Sequence, residues 1–197
     1  MKALLFALLA LIIIFVLAQS FVMKLSNGIE TYPYKVLQEY DEFEIRQYEA
    51  ANFSYVTMQA NNHKERSSSG FRTLAGYIFG SNANNEKIAM TSPVAMPLND
   101  SISMMFMVPA QYDLDDLPKP NNSLVQFKQE PAKTVAAIRF SGWANDDKIA
   151  FYTNKLTQLL AAQNIAHLSD FSYLGYNPPY EVLNRRNEII VSIQTEK

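Results

Sequence analysis

The sequence predicts an α+β fold: an eight-stranded, mostly antiparallel sheet made of two similar halves, covered by two helices and preceded by an apolar N-terminal helix. Segments that alternate apolar and polar residues recur in the order strand, strand, helix, strand, strand, and that order appears twice between residues 34 and 193. The helical segments instead repeat apolar residues at three- and four-residue spacing. The third observation is at the start of the chain, where residues 3–23 are 21 positions without a charge.

That first segment, flanked by Lys2 and Lys24, would be about 31 Å long as a helix, against a bilayer core of about 30 Å. Residues 1–24 therefore read as a signal anchor or a signal peptide. Val16-Leu17-Ala18 permits cleavage before Gln19, while the apolar run through Phe21-Val22-Met23 suits a retained anchor. Either reading takes the rest of the chain across a membrane: a membrane-anchored domain on the extracytoplasmic side, or a secreted or periplasmic one after cleavage. Residues 25–33, with Ser26-Asn27-Gly28, read as a spacer.

In the first half, Tyr34 to Tyr40, Phe43 to Tyr48 and Phe53 to Gln59 alternate as half-buried strands. Phe71, Leu74, Ala75 and Ile78 then fall on one helical stripe, entered through Ser67 to Ser69 and stopped at Gly80. Strand patterns return at Lys87 to Thr91 with Val94 to Met96, and at Ile102 to Val108 after the turn Asn99-Asp100-Ser101. Pro109, Pro118 and Pro120 mark residues 109–122 as the connection between halves. The second half offers strands at Leu124 to Glu130 and Thr134 to Phe140. Asn145-Asp146-Asp147 opens a helix carrying Ile149, Tyr152, Leu156, Leu159 and Leu160, and strands follow at Phe171 to Tyr176 and Glu188 to Ile193.

Composition excludes several functions. The 197 residues are 48% apolar and 18% charged with no cysteine, which excludes a disordered tail, a disulfide scaffold and a thiol nucleophile. With 17 basic against 19 acidic side chains there is no field for a nucleic-acid backbone, so nucleic acid is not an expected partner. His63 and His167, the two histidines, lie in no metal-spaced motif, and an axial iron ligand is the sharper alternative for His63. Met90, Met96, Met104, Met105 and Met107 cluster on neighbouring strand patterns, either as core or as an adaptable pocket wall. Of Arg185 and Arg186, one faces a given partner, which is a domain carboxylate or the carboxylate of a ligand.

Taken together, Tyr34-Lys-Val-Leu, Phe43 to Tyr48, Gly70-Phe-Arg-Thr-Leu-Ala-Gly-Tyr-Ile-Phe-Gly80, Lys87-Ile-Ala-Met-Thr-Ser-Pro-Val94, Phe106-Met-Val-Pro109, Gly175-Tyr-Asn-Pro-Pro179 and Arg185-Arg-Asn-Glu188 resemble the SOUL family of haem-binding proteins over residues 32–194. The resemblance implies two pseudo-symmetric halves forming an eight-stranded distorted barrel with two helices packed on it, as a domain of residues 34–197. It also implies non-covalent binding of haem or another tetrapyrrole in an apolar groove beside the first domain helix, without catalysis. On this chain that groove involves Phe71, Arg72, Leu74, Ala75, Ile78 and Met90. Positions that are basic in some members correspond to Ser68, Gly76 and Glu181, with Arg66 and Arg72 near enough to substitute. The competing readings are an interaction domain that has lost its ligand, and an enzyme acting on a small apolar molecule. The enzyme requires a carboxyl group of raised pKa, for which Glu181 and Glu188 are the candidates.

Overall fold

A computed structural model describes residues 2–26, 28–57, 63–98, 102–178 and 181–194. In chain order the elements are α1 (Lys2–Ser26), β1 (Glu30–Thr31), β2 (Tyr34–Glu39), β3 (Glu44–Tyr48), β4 (Ala51–Thr57), α2 (His63–Ile78), β5 (Thr91–Ser92), β6 (Val94–Pro97), β7 (Ile102–Met107), β8 (Gln126–Glu130), β9 (Lys133–Ser141), α3 (Asp146–Ala162), β10 (Ser172–Gly175) and β11 (Arg186–Ser192). Nine strands form one sheet in the order β2-β3-β9-β11-β10-β6-β7-β4-β8, and β1 pairs in parallel with β5 beside it. Every ladder in the nine-stranded sheet is antiparallel.

The strand order is a palindrome once β2 is set aside. Each half contributes a contiguous triplet, β4-β7-β6 or β9-β11-β10, and the triplets meet where β6 pairs with β10. The first strand of each repeat, β3 or β8, leaves its own triplet and pairs with the other's outer strand, β3 on β9 and β8 on β4. Yet β3 joins β4 through Glu49 and Ala50 alone, and β8 joins β9 through Pro131 and Ala132 alone. The three Cα–Cα steps across such a corner span at most about 11 Å, so strands near opposite ends of the ladder are forced close together and the sheet curls.

Alternation along each strand then separates two cores. Ile45, Val56, Met96, Met104, Phe106, Ile138 and Ile189 face the helices, with Leu74 and Ile78 of α2 and Leu156 and Leu160 of α3. Tyr48, Phe53, Ala95, Met105, Val135, Leu174 and Ile190 line the concave face, where Tyr32 packs against Tyr48 and Phe53 at ring separations of 4.5 and 5.2 Å. The helices obey the same pseudo-symmetry, α2 seated on β7 and β4, and α3 on β11 and β9. Asn145 caps α3 by accepting the Lys148 N–H at 2.9 Å. The proline-rich connection forms no long ladder and is pinned where the Tyr77 hydroxyl donates to the Pro118 carbonyl at 2.9 Å.

Several expectations are corrected. The main sheet has nine strands, because β2 adds to the edge of β3, and the barrel is not closed: β2 and β8 each have one neighbour. Residues 87–90 are not a strand. The Ile88 N–H bonds the Ile78 carbonyl and the Ile88 side chain fills the core beneath α2. The first domain helix starts at His63 rather than after Ser69, since Ser68 and Thr73 turn their hydroxyls onto the Glu65 and Ser69 carbonyls and stay within the helix. The turn at Asn99-Asp100-Ser101, together with Met58 and Gln59 of the predicted third strand, lies outside the described residues. α1 is a 25-residue helix, but among the described residues no helix is long and apolar enough to cross a membrane.

Gly70 is where α2 and β7 approach closest, since a Cβ built there would sit 3.0 Å from the Met104 Cβ. A Gly70→Val variant is expected to lose about 1–3 kcal/mol of stability in urea unfolding through overpacking, although valine is the better helix former.

Candidate functional site

α2 presents two rows of residues that recur every fourth position. Phe71, Ala75 and Phe79 form one row, with the Phe79 N–H on the Ala75 carbonyl at 2.9 Å carrying the helical bonding past Ile78. Ser68, Arg72 and Gly76 form the row outside it. Leu74 and Ile78 lie on the inner side of the same stripe, at 0% and 4% exposure in the core against the sheet. The structure thus splits the six residues singled out from the sequence. Leu74 and Ile78 are core, Ala75 is nearly buried, Phe71 and Met90 are half-buried at its edge, and Arg72 is exposed. Phe71 leans edge-on against Phe106 with ring centroids 5.4 Å apart.

What remains at the surface is a ledge. Phe71 and Phe79 stand about 12 Å apart along the helix axis, with the small Ala75 between them and Arg72 beside it. A Cβ on Gly76 would touch nothing nearer than the Ser81 Oγ at 3.8 Å, so this part of the helix surface is open. Phe79 lies off the apolar stripe that the sequence shows, yet at 59% exposure it is the more exposed of the two phenylalanines on this edge. Ser68 is exposed and Glu181 buried, and neither adds a cation here. The side chains of His63 and Arg66 lie outside the described residues.

The concave face carries an ion cluster that sequence reasoning did not assemble. Arg46 of β3 grips Glu188 of β11 with both ends of its guanidinium, at 2.7 and 3.2 Å, and also bonds Glu44 at 2.6 Å. Arg186 bonds Glu188 from the other side at 2.9 Å, and the Tyr176 hydroxyl donates to it at 2.8 Å. Each guanidinium also lies over a tyrosine ring, Arg46 over Tyr34 at 4.4 Å and Arg186 over Tyr176 at 3.9 Å. Burial alone would push the Glu188 carboxyl up, but the Arg46 hydrogen bond and the charges of Arg46 and Arg186 outweigh it and hold the group below the usual range. Glu188 is therefore an ionised, saturated acceptor, the opposite of the proton donor that the enzyme reading requires of it. Burial, then the Glu188 charge, push the Tyr176 and Tyr48 hydroxyls up, so both stay protonated.

The arginine pair divides as the extended backbone demands. Arg186 takes the domain carboxylate, whereas Arg185 fills its fork with the carbonyls of Asn177, Pro178 and Glu181 and stacks on Trp143 at 4.1 Å. The five methionines do not make one wall: Met90, Met96 and Met104 pack on the helix side, and Met105 and Met107 on the concave side.

A family model described as SOUL heme-binding protein matches residues 29–192. Heme-binding protein 1 of Xenopus laevis is 27% identical over 177 residues, covering 84% of this chain and 93% of that protein. Heme-binding protein 2 of Homo sapiens is 28% identical over 156 residues, covering 75% and 76%. Among solved structures, a hydrolase from Listeria innocua superposes with a TM-score of 0.53 at 7% identity, covering 80% of this chain and 94% of that one. The EcmrR C-terminal domain gives 0.53 at 10% identity, covering 83% and 99%. At such identities the two structures share the fold alone.

The ion cluster makes a test of its own. A carboxyl whose pKa is lowered by folding stabilises the protein above its unfolded pKa, about 4.3, and that contribution is lost as pH falls through the lower folded value. Glu188→Gln removes the buried carboxylate that Arg46 and Arg186 share, leaving Arg46 the Glu44 carboxylate alone, and is expected to cost about 3–5 kcal/mol at pH 7. Its urea midpoint should also vary less between pH 5 and pH 3 than that of the unsubstituted chain.

Proposed function

The chain belongs to the SOUL heme-binding protein family, and from that premise we propose that it binds haem or a related tetrapyrrole, non-covalently and without catalysis, on the outer edge of α2. Family membership over residues 29–192 carries the reading, and the α2 ledge supports its placement. Phe71, Ala75 and Phe79 offer a flat apolar strip to a macrocycle face, Met90 extends the half-buried edge, and Arg72 offers a guanidinium to a propionate. Leu74 and Ile78 support the ledge from beneath. Each Å² of macrocycle withdrawn from water contributes about 25 cal/mol, so contact rather than a built polar cage supplies the affinity.

The second part of the reading concerns place. Between Leu8 and Leu17 the described side chains of α1 are apolar and exposed on every side of the helix, a pattern that favours a lipid surrounding. We propose that the N-terminal segment places the domain on the extracytoplasmic side of a membrane, retained there or released by cleavage before Gln19. α1 touches the domain where Gln19 accepts the Val182 N–H at 3.2 Å.

Haemin titrated into the protein and followed by the Soret band should saturate at one equivalent with a dissociation constant of about a micromolar or tighter. Phe79→Ser and Arg72→Glu, both at exposed positions, should each weaken binding roughly threefold to tenfold while leaving thermal stability unchanged. A linear, unsaturable response indifferent to both variants would mean adsorption and favour the interaction-domain reading. For the anchor, the full chain should stay with the membrane pellet after alkaline carbonate washing and keep Met1 or its immediate neighbour as N-terminus. Recovery in the wash with Gln19 first would establish cleavage.

A further inference from the structure

On the concave face, across the sheet from α2, the curl leaves a cleft of about 800 Å³. Tyr32, Phe53, Ala95, Met105, Leu174 and Ile190 make its floor, all members of the concave core. Lys128 and Glu130 of β8, Lys133 of β9 and the loop carrying His167 and Asp170 make its mouth. An apolar floor with a few polar groups at one end, in a volume between roughly 300 and 1,000 Å³, is the form of a small-molecule site.

The hydrogen-bonding state of the mouth selects the ligand's head group. Glu130 is bridged by both ammonium groups, Lys128 at 2.6 Å and Lys133 at 3.1 Å. Asp170 is taken by the N–H of Ser192 at 3.1 Å and by its hydroxyl at 2.5 Å. His167 Nδ1 is engaged by the Leu168 carbonyl. The Glu130 and Asp170 carboxylates thus have their donors, while two ammonium groups with three N–H each share a single carboxylate at this corner. Beside them the Tyr32 hydroxyl is buried with no hydrogen-bond partner, in a side chain only 5% exposed. A buried hydroxyl left unpaired is costly, and an acceptor arriving at the β8–β9 corner would relieve it. Burial, reinforced by the Glu130 charge, raises the Tyr32 hydroxyl above its ordinary range, so it is a donor at neutral pH.

We propose that this cleft binds an amphipathic monocarboxylate, its apolar body on the Phe53, Met105 and Leu174 floor and its carboxylate at Lys128, Lys133 and Tyr32. The site is separate from the tetrapyrrole ledge, since the sheet lies between them, and it does not depend on haem being the other ligand.

Octanoate and octylammonium share a tail and differ in charge, which makes them the deciding pair. Calorimetric titration of the full chain in non-ionic micelles, against micelles alone, should give saturable one-to-one binding of octanoate, about tenfold or more tighter than octylammonium. Ala95→Leu, which fills the floor, should weaken octanoate about tenfold, and Tyr32→Phe several-fold. Lys128→Gln/Glu130→Gln/Lys133→Gln, which keeps side-chain size, should bring the two ligands to equal affinity. Should that triple variant fail to fold, Ala95→Leu and the charge contrast decide alone. Haemin loaded beforehand should keep its Soret band through the titration. Heat no greater than that of empty micelles, equal binding of the two ligands, indifference to Ala95→Leu, or release of haemin by octanoate would each overturn the proposal. Failure of the haemin titration itself would leave it standing.

Discussion

The constraint on which the rest depends is the exchange of first strands between the two halves across two-residue corners. With β3 hydrogen-bonded to β9 and β8 to β4, neither half completes its own sheet, and Glu49-Ala50 and Pro131-Ala132 are too short to let the ends of the ladder separate. Curling follows from connectivity rather than from side-chain chemistry. It also fixes which face is which: the helices cover the convex side, and the concave side receives the aromatic cluster of Tyr32, Tyr48 and Phe53. The Arg46–Glu188 pair lies across the same junction, joining a strand of the first half to the last strand of the second. A buried pair of this kind is weak as a source of net stability but costly to leave half-made, which suits it to enforcing one register of exchange.

The two faces of the sheet are accordingly built for different tasks. On the convex side Leu74 and Ile78 are spent on the core, and what α2 offers to a partner is the edge row of Phe71, Ala75 and Phe79. On the concave side charge is fully compensated around Glu188, which leaves that cluster structural. Among the described residues, the Tyr32 hydroxyl beside the β8–β9 corner is buried with its hydrogen-bonding capacity open. The flat apolar ligand proposed outside and the amphipathic one proposed inside would be recognised by different physics, area on one side and a few donors over an apolar floor on the other.

Local elements were legible in the sequence because their signals are local. Period-two alternation marked β2, β3, β9 and β11, and Asn145-Asp146-Asp147 marked the start of α3. The duplicated order of elements was legible as well, though not which strands carry it, for β3 and β4 are the pair that matches β8 and β9 while β2 is an addition. Strand exchange was not legible, since nothing in the alternation of β3 distinguishes β9 from β4 as its partner. The start of α2 was misplaced because serines read as a boundary, yet here their hydroxyls bond back onto the preceding turn. The α2 stripe could be recognised without deciding between core and groove, as both require Leu74 and Ile78 to be apolar. Arg46 and Glu188 are 142 residues apart, and only the curl brings them together.

The outer edge of α2 is the proposed seat of the tetrapyrrole. Amide correlation spectra of the isotope-labelled protein, recorded with and without diamagnetic zinc protoporphyrin, test it most directly because they place the ligand residue by residue. The largest shifts should fall on residues 68–79 and on Met90, with the strands of the concave face, Ala95, Leu174 and Ile190 among them, unmoved. Shifts centred on the concave face, or no shifts at a saturating ligand concentration, would contradict it.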